Sequence, residues 1–245
     1  MSDWQCLLWD VDGTIAETER DGHRVAFNLA FAQAGLDWGW DERRYGELLQ
    51  VTGGRERILA DMDSRQDAPR DPSVREDLAL RVHRLKNKLY AALLDDGHVQ
   101  ARPGVLGLMR EARAAGVRQG IVTTTSRSNV QALLCRMLGA QWEAWFEVVV
   151  CGEDVQRKKP DPEAYLLALQ KLGLKPCQAL AVEDSTPGVT SALAAGTQVW
   201  WRPSLYFPDL PAALSNSPKV IHWAERVPGY CQGARVLSRA IAKTP

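Results

Sequence analysis

The sequence predicts an α/β fold: a parallel sheet with helices on both faces, interrupted early by an all-helical insertion. Three observations predict it. From Arg102 onward, short apolar runs alternate with amphipathic segments of helix length, the pattern of strand–helix–strand units. The first apolar run, Cys6-Leu7-Leu8-Trp9, does not alternate apolar with polar, as expected of a strand covered on both faces. Between them, residues 18–97 carry helical periodicity and no convincing strand.

Each element follows in order. The first strand breaks at Asp10-Val11-Asp12-Gly13-Thr14, and the polar segment Ile15 to His23 reads as a linker. From His23 to Ala34, Val25, Ala26, Leu29, Ala30 and Ala34 recur at helical steps, and Gly35 ends the helix. Asp41 is placed to cap a second helix running to about Gln50. A third follows Thr52-Gly53-Gly54-Arg55-Glu56-Arg57 and runs to about Met62. After a loop from Asp63 to Ser73, a long amphipathic helix covers Val74 to Leu94. Its basic residues Arg81, His83, Arg84, Lys86 and Lys88 read as a solvated face. Pro103-Gly104 opens a helix to Ala115, with Gly116 as its cap. Strands are expected at Val117–Val122, Phe146–Cys151, Ala179–Val182 and Gln198–Trp201. Helices are expected at Ser128–Leu138, Glu163–Leu172, Gly188–Ala195 and, after a poorly patterned stretch, Gln232–Ala242.

Composition narrows the function classes. The chain has 245 residues, is 45% hydrophobic and 24% charged, and has a formal net charge of +0. A balanced charge gives no basic surface for nucleic acid and no polybasic tail for a membrane. No apolar run is long enough to span a bilayer, and the first residues lack the pattern of a signal peptide. A cytoplasmic location is expected, or a plastid stroma were the source a photosynthetic eukaryote, and the chain is expected to be a monomer. The five cysteines are scattered, odd in number and without a CxxC pair, which points to reduced thiols and away from zinc or a disulfide frame. The nine tryptophans are expected in the core or packed against it.

The strand ends carry the chemistry. Asp10 and Asp12 close the first strand, Thr123-Thr124-Thr125-Ser126 the second, Lys158-Lys159 follow the third, and Glu183-Asp184 close the fourth. Asp-Gly is also a common turn, so the first motif alone fits a polar turn as well as an active site. A parallel sheet, however, brings all of these ends to one edge. Residues two apart on a strand point to one side, and two carboxylates there are costly without a cation between them. Hard oxygen ligands suit Mg²⁺. Hydroxyls and backbone N–H groups hold phosphate oxygens, and a lysine offsets the charge of a transferring phosphoryl group.

The ordered set Asp-Val-Asp-Gly-Thr, strand–Thr, Lys-Pro-Asp-Pro and Glu-Asp-Ser resembles the four motifs of the haloacid-dehalogenase-like (HAD) phosphatases, and it spans Asp10 to Asp184. The resemblance implies a Rossmann-like core, residues 1–17 and 98–245, with an inserted α-helical cap, residues 18–97, as in the β-phosphoglucomutase-like group. It implies that Asp10 attacks phosphorus and carries an aspartyl-phosphate. Asp12 protonates the leaving oxygen and then activates water. Thr123 binds the phosphate. Lys159 neutralises charge, with Lys158 as the alternative. Mg²⁺ is held by Asp10, Asp12, Glu183 and Asp184.

Glu17-Thr18-Glu19, Asp37-Trp38-Gly39-Trp40-Asp41, the glycine–arginine stretch and Thr123 to Ser126 further resemble the CbbY-type proteins, which are associated with autotrophic carbon fixation. That group includes xylulose-1,5-bisphosphate phosphatases, which remove a misfire product that inhibits Rubisco. The implied partner is a phosphorylated sugar. The core would hold the phosphate being cleaved, with Thr123, Thr124, Thr125, Ser126 and Lys159. Gly53, Gly54, Arg55, Glu56 and Arg57 would hold the distal one, and Glu19 and His23 would face the sugar. Relative to the family's spacing, Thr18-Glu19-Arg20-Asp21-Gly22-His23 carries one extra residue, which sets His23 between a site role and a place at the hinge. A mutase of the same family and a noncatalytic module on the same fold are the alternative readings.

Overall fold

The computed structural model describes residues 4–95, 97 and 99–223. The helix expected at Gln232–Ala242 lies outside them. Six parallel strands form one sheet: β1 (Cys6–Trp9), β2 (Arg118–Val122), β3 (Val148–Val150), β4 (Ala179–Glu183), β5 (Gln198–Trp201) and β6 (Val220–His222), in the order β3-β2-β1-β4-β5-β6. Strand β1 is central, with Leu7 opposite Gln119 on one side and Leu180 on the other. The order reverses beside it, which is where open α/β sheets form a crevice at their carboxyl edge.

The non-alternating pattern of β1 has the expected cause. Leu7 and Trp9 belong to the cluster under one face, with Met109, Val130 and Leu134. Cys6 and Leu8 belong to the cluster under the other, with Tyr165, Ala168 and Val189. These second residues come from α5 (Val105–Ala114) and α6 (Arg127–Leu138) on the first face, and from α7 (Glu163–Leu172) and α8 (Thr186–Ala194) on the second. Burial makes the β1 thiol inert: it pushes Cys6 up to about 12. Strand β6 was not anticipated, because Val-Ile-His is too short to show a period.

Residues 18–97 contain no strand among those described. They form α1 (Arg24–Gln33), α2 (Glu42–Leu48), α3 (Gly54–Asp63) and α4 (Pro72–Asp95). Asp41 does cap α2, accepting from the Arg44 N–H at 2.7 Å. This helical block has its own aromatic cluster, which includes Phe27, Phe31, Trp40, Tyr45 and Met62. The two chain segments that join block to sheet run side by side: Arg102 N–H donates to Ile15 O at 2.8 Å, and Ala16 bridges Ala101.

Two expectations are corrected here. The end of the predicted linker is helical: Glu19–His23 is one turn of π-helix leading directly into α1. A π turn closes at i→i+5 and so holds one residue more than an α turn, which is how a single inserted residue is absorbed without turning the helix that follows. The basic face of α4 is not uniformly solvated. Arg81, Arg84 and Lys88 are exposed and His83 is half-buried, but Lys86 is only 4% exposed.

Candidate active site

The sheet's carboxyl edge gathers Asp10 from the end of β1, Glu183 and Asp184 from the end of β4, and Lys159 from the segment after β3. Lys159 Nζ donates to Asp10 Oδ1 at 2.7 Å, to Glu183 Oε1 at 2.6 Å and to Val122 O at 2.8 Å. The neighbouring Lys158 instead pairs with Glu56 at 2.8 Å. Tyr165 O–H donates to Glu183 Oε1 at 2.6 Å from below the sheet. Thr14 O–H donates to Asp184 Oδ1 at 3.2 Å.

Asp10, Glu183 and Asp184 each place an oxygen within 4.8 Å of the others, and all three are buried. Burial raises Asp10 to about 8, against the lowering effect of Lys159. Burial also raises Asp184 well above the carboxylate range, with the charges of Asp10 and Glu183 adding to it. Burial alone would lower Lys159, but Asp10 and Glu183 outweigh it and hold the ammonium protonated. One ammonium against three carboxylates leaves excess negative charge, which a divalent cation offsets. The residues fit such an ion. All donors are oxygen, and Glu183 Oε2 is buried with no hydrogen-bond partner. Backbone approaches the carboxylates closely, since a Cβ on Gly188 would come within 1.9 Å of Glu183 Oε2 and one on Gly13 within 2.1 Å of Asp184 Oδ2.

Asp12 stands apart from this group. Strand β1 ends at Trp9, and Asp12 lies in the turn beyond it, so the rule that residues two apart share a side does not reach it. Its Oδ1 accepts from Thr18 O–H and lies 2.9 Å from His23 Nε2, and its Oδ2 accepts from Thr125 O–H. Although burial alone would raise it, the His23 ring and the two hydroxyls hold Asp12 well below the usual carboxylate range. The π turn therefore delivers His23 to Asp12 despite the extra residue. Behind it, Lys86 Nζ lies 2.8 Å from His23 Nδ1, so the ring is held between Lys86 and Asp12.

Lys86 is stacked between the rings of Phe27 and Tyr90, 5.0 Å from each centroid. Burial lowers it to about 7, against the raising effect of Asp12 and Glu19. A lysine lowered in the folded state binds its proton more weakly there than when unfolded, so it costs stability at and below pH 7, and the cost fades as pH rises toward 10.5. Lys86→Met is therefore expected to gain stability relative to the native chain by a few kcal/mol more at pH 6 than at pH 10. Urea unfolding at both pH values measures this, and parallel stability curves would contradict it.

The cleft between sheet edge and helical block is lined by Glu19, His23, Gly53, Gly54, Arg57 and Lys86 from the block. Asp10, Asp12, Thr123, Thr124, Thr125, Ser126, Lys159 and Asp184 line it from the sheet side. The structure thus brings together most of the residues expected to bind substrate. Arg55 and Glu56 are not among those lining it. Arg55 pairs with Glu76 at 3.3 Å on the surface, and Glu56 is taken by Lys158. Arg57 is buried, donating to Tyr45 Oη at 3.0 Å and Leu48 O at 3.2 Å, and Tyr45 O–H in turn donates to Glu19. Tyr45, His83, Lys86 and Asn129 were missed. His83 is kept neutral, lowered to about 3 by burial and then by the charges of Lys86 and Lys158. Asn129 is buried in the cleft wall with its Oδ1 unpaired, while its Nδ2 donates to Asn87 of α4 at 3.0 Å. For Lys86 a signal existed, since Ala79, Val82, Lys86, Tyr90 and Leu94 lie on one stripe of α4.

This arrangement has counterparts. The family model described as haloacid dehalogenase-like hydrolase matches residues 4–196. The chain belongs to the haloacid dehalogenase-like hydrolases. Protein CbbY of Rhodobacter capsulatus is 41% identical over 225 residues, which are 87% of this chain and 96% of that protein. The crystal structure of CbbY from Rhodobacter sphaeroides in complex with phosphate superposes with a TM-score of 0.81 at 38% identity, covering 90% of this chain and 94% of that one. A mutant of that protein in complex with xylulose-1,5-bisphosphate superposes at 0.79 and 37%, with the same coverage. Within the HAD-like hydrolases the chain falls in the CbbY-type group, and it is a phosphatase. HAD-like hydrolases generally use a divalent metal, in keeping with the carboxylate cluster. No helix among the described residues is long and apolar enough to cross a membrane.

Proposed function

We propose that this HAD-like phosphatase removes the 1-phosphate of xylulose-1,5-bisphosphate and releases xylulose 5-phosphate. Residues 1–17 and 98–245 would form its core and residues 18–97 a cap that closes over the substrate. The observation that carries the reading is a cleft with anion-receptive groups from both layers: Lys159 with Thr123 from the sheet side, and the Gly53-Gly54 turn with Arg57 from the helical block. Glu19, His83 and Asn129 line the same cleft, His83 directly against Gly54, and are polar groups suited to sugar hydroxyls. The xylulose-1,5-bisphosphate complex of the similar CbbY protein supports the choice of sugar.

The chemistry follows from the two aspartates. Asp10 attacks phosphorus, the bond to the sugar oxygen breaks, and Asp12 supplies the proton that the leaving oxygen takes. Asp12 needs a proton for that step, and the approach of a phosphate dianion favours one. Afterwards Asp12, again a carboxylate, takes a proton from water, which attacks phosphorus and frees Asp10. Lys159 stays charged throughout and offsets the charge of Asp10 and the phosphoryl oxygens. Thr18, Thr125 and His23 aim Asp12. Magnesium, held by Asp10, Glu183 and Asp184, would supply further charge neutralisation.

The test is phosphate release from xylulose-1,5-bisphosphate, ribulose-1,5-bisphosphate, β-glucose 1-phosphate and phosphoglycolate, each with Mg²⁺ and with EDTA. A strong Mg²⁺-dependent preference for the xylulose bisphosphate is expected. Slow release without preference would remove the substrate assignment. Conversion of β-glucose 1-phosphate to the 6-phosphate without free phosphate would make the protein a mutase.

A further inference from the structure

The turn Pro203–Phe207 leaves the sheet after β5 and touches both halves of the cleft. Its root is fixed on the carboxylate side. Arg202 N–H donates to Glu183 O at 2.8 Å, the Ser204 side chain lies near enough to the Asp184 carboxyl to lower it, and Arg102 Nη2 donates to Pro203 O at 2.5 Å. The same Arg102 reaches Gly13 O and pairs with Glu17 at 3.1 Å, where the chain passes into the helical block. A bond from Ser204 N–H to Phe207 O, 3.2 Å, closes the turn.

Its tip is fixed on the other side. Phe207 is buried in the aromatic cluster of the helical block, with Phe27, Trp40 and Tyr45. The Tyr206 ring meets Tyr45 edge-on, centroids 5.7 Å apart. It lies over Gly46, where a Cβ would come within 3.1 Å of it. Tyr206 lines the cleft, and its hydroxyl is buried without a hydrogen-bond partner. Tyr45 is the residue that joins Arg57 to Glu19.

We propose that Pro203–Phe207 is a strap through which closure of the helical block is registered at the carboxylate cluster, with Tyr206 positioning the Tyr45–Glu19 pair and so setting selection of the sugar. The assignment of Tyr206 to sugar selection rests on the phosphatase reading above; the strap itself does not. An aromatic residue carried by the sheet layer fills a place in the block's own core, so the block cannot lift from the cleft without withdrawing its cluster from Phe207 and Tyr45 from Tyr206. Ser204 moves with the same five-residue turn.

Two experiments test it. In the first, Tyr206→Ala and Tyr206→Phe are compared with the native chain on xylulose-1,5-bisphosphate and on p-nitrophenyl phosphate, an aryl ester with no sugar to select. Losing one aromatic pair and its positioning effect is expected to raise KM for the bisphosphate about tenfold in Tyr206→Ala, with a smaller change in kcat. The ratio of kcat/KM for the bisphosphate over the aryl ester falls with it, and Tyr206→Phe, which keeps the ring, recovers most of the loss. Equal losses on both substrates, or no loss, would overturn the role of Tyr206. In the second, hydrogen exchange at the α2 amides is measured in Phe207→Ala and in the milder Phe207→Leu. Exchange about tenfold faster in Phe207→Ala, with Phe207→Leu between, supports the strap, since exchange follows the local opening equilibrium. Native rates in both variants would overturn it. If no sugar phosphate is turned over by the native chain while α2 still loosens, the phosphatase reading and the role of Tyr206 fall and the strap stands.

Discussion

Asp10→Asn is expected to keep the fold and to lower phosphate release by on the order of 10⁴-fold or more. The carboxamide cannot form an acyl phosphate, and no other carboxylate takes its place: Glu183 and Asp184 are bound up in the same cluster, and Asp12 is held by Thr18, His23 and Thr125. The substitution removes one negative charge from a group that has an excess, so the native fold tolerates it. Asp12→Ala gives the complementary result on p-nitrophenyl phosphate, whose leaving group departs without a proton, because Asp10 remains competent to take the phosphoryl group while water is left without its base. Intact-protein mass spectrometry after mixing with substrate should find a phosphorylated chain in Asp12→Ala and none in Asp10→Asn. Asp10→Asn retaining more than a tenth of native turnover would remove Asp10 from the role of nucleophile.

Lys159→Met is expected to be the most destabilising single change at the sheet edge. It removes the ammonium that lies 2.7 Å from Asp10 and 2.6 Å from Glu183, and leaves three buried carboxylates facing one another. Breaking a buried ion pair by removing one partner costs about 3–5 kcal/mol near neutral pH. The sign with pH is fixed by the carboxyls. Asp10 and Asp184 are raised in the folded state by burial, so the folded chain binds more protons than the unfolded one above their ordinary value. Stability therefore falls as pH rises from 3.8 toward about 8, and the fall steepens without Lys159. Urea unfolding at pH 5 and pH 8 should show the deficit of Lys159→Met growing with pH, and millimolar Mg²⁺ should recover part of it by binding only the folded chain. A deficit equal at both pH values would mean that lost packing, not lost charge, is responsible.

The sheet was legible in the sequence because burial on both faces leaves an apolar run with no period, and Cys6–Trp9 and Ala179–Val182 are such runs. The gathering of Asp10, Lys159, Glu183 and Asp184 was legible for the same reason, since parallel strands share a carboxyl edge. The separation of Asp12 was not. It depends on where β1 stops, and strand ends are set by turn geometry that a rule of alternation ignores. The two lysines in succession were undecidable by spacing, and the fold sends Lys158 to Glu56 and Lys159 to Asp10. Arg55 and Arg57 flank a single residue on α3, so they point to different sides, one to solvent and one inward; counting arginines could not say which. Lys86 was misread by charge alone, although its place on the stripe of Ala79, Val82 and Tyr90 argued for burial. The extra residue before His23 was visible, but its accommodation as a π turn is a property of the helix that follows it.

The central place of β1 has a consequence for synthesis on the ribosome. Chains emerge amino terminus first, yet the neighbours of Cys6–Trp9 are Arg118–Val122 and Ala179–Glu183. The aromatic residues of α1 to α4 lie in one unbroken stretch and can pack as soon as α4 has left the exit tunnel. Their future partner strand meanwhile waits with two apolar faces and two open edges, a segment that chaperones or like segments of other nascent chains can seize. That exposure ends only when Ala179–Glu183 has been made. Phe207 arrives later still, so the helical block is sealed by a residue translated after both neighbours of β1.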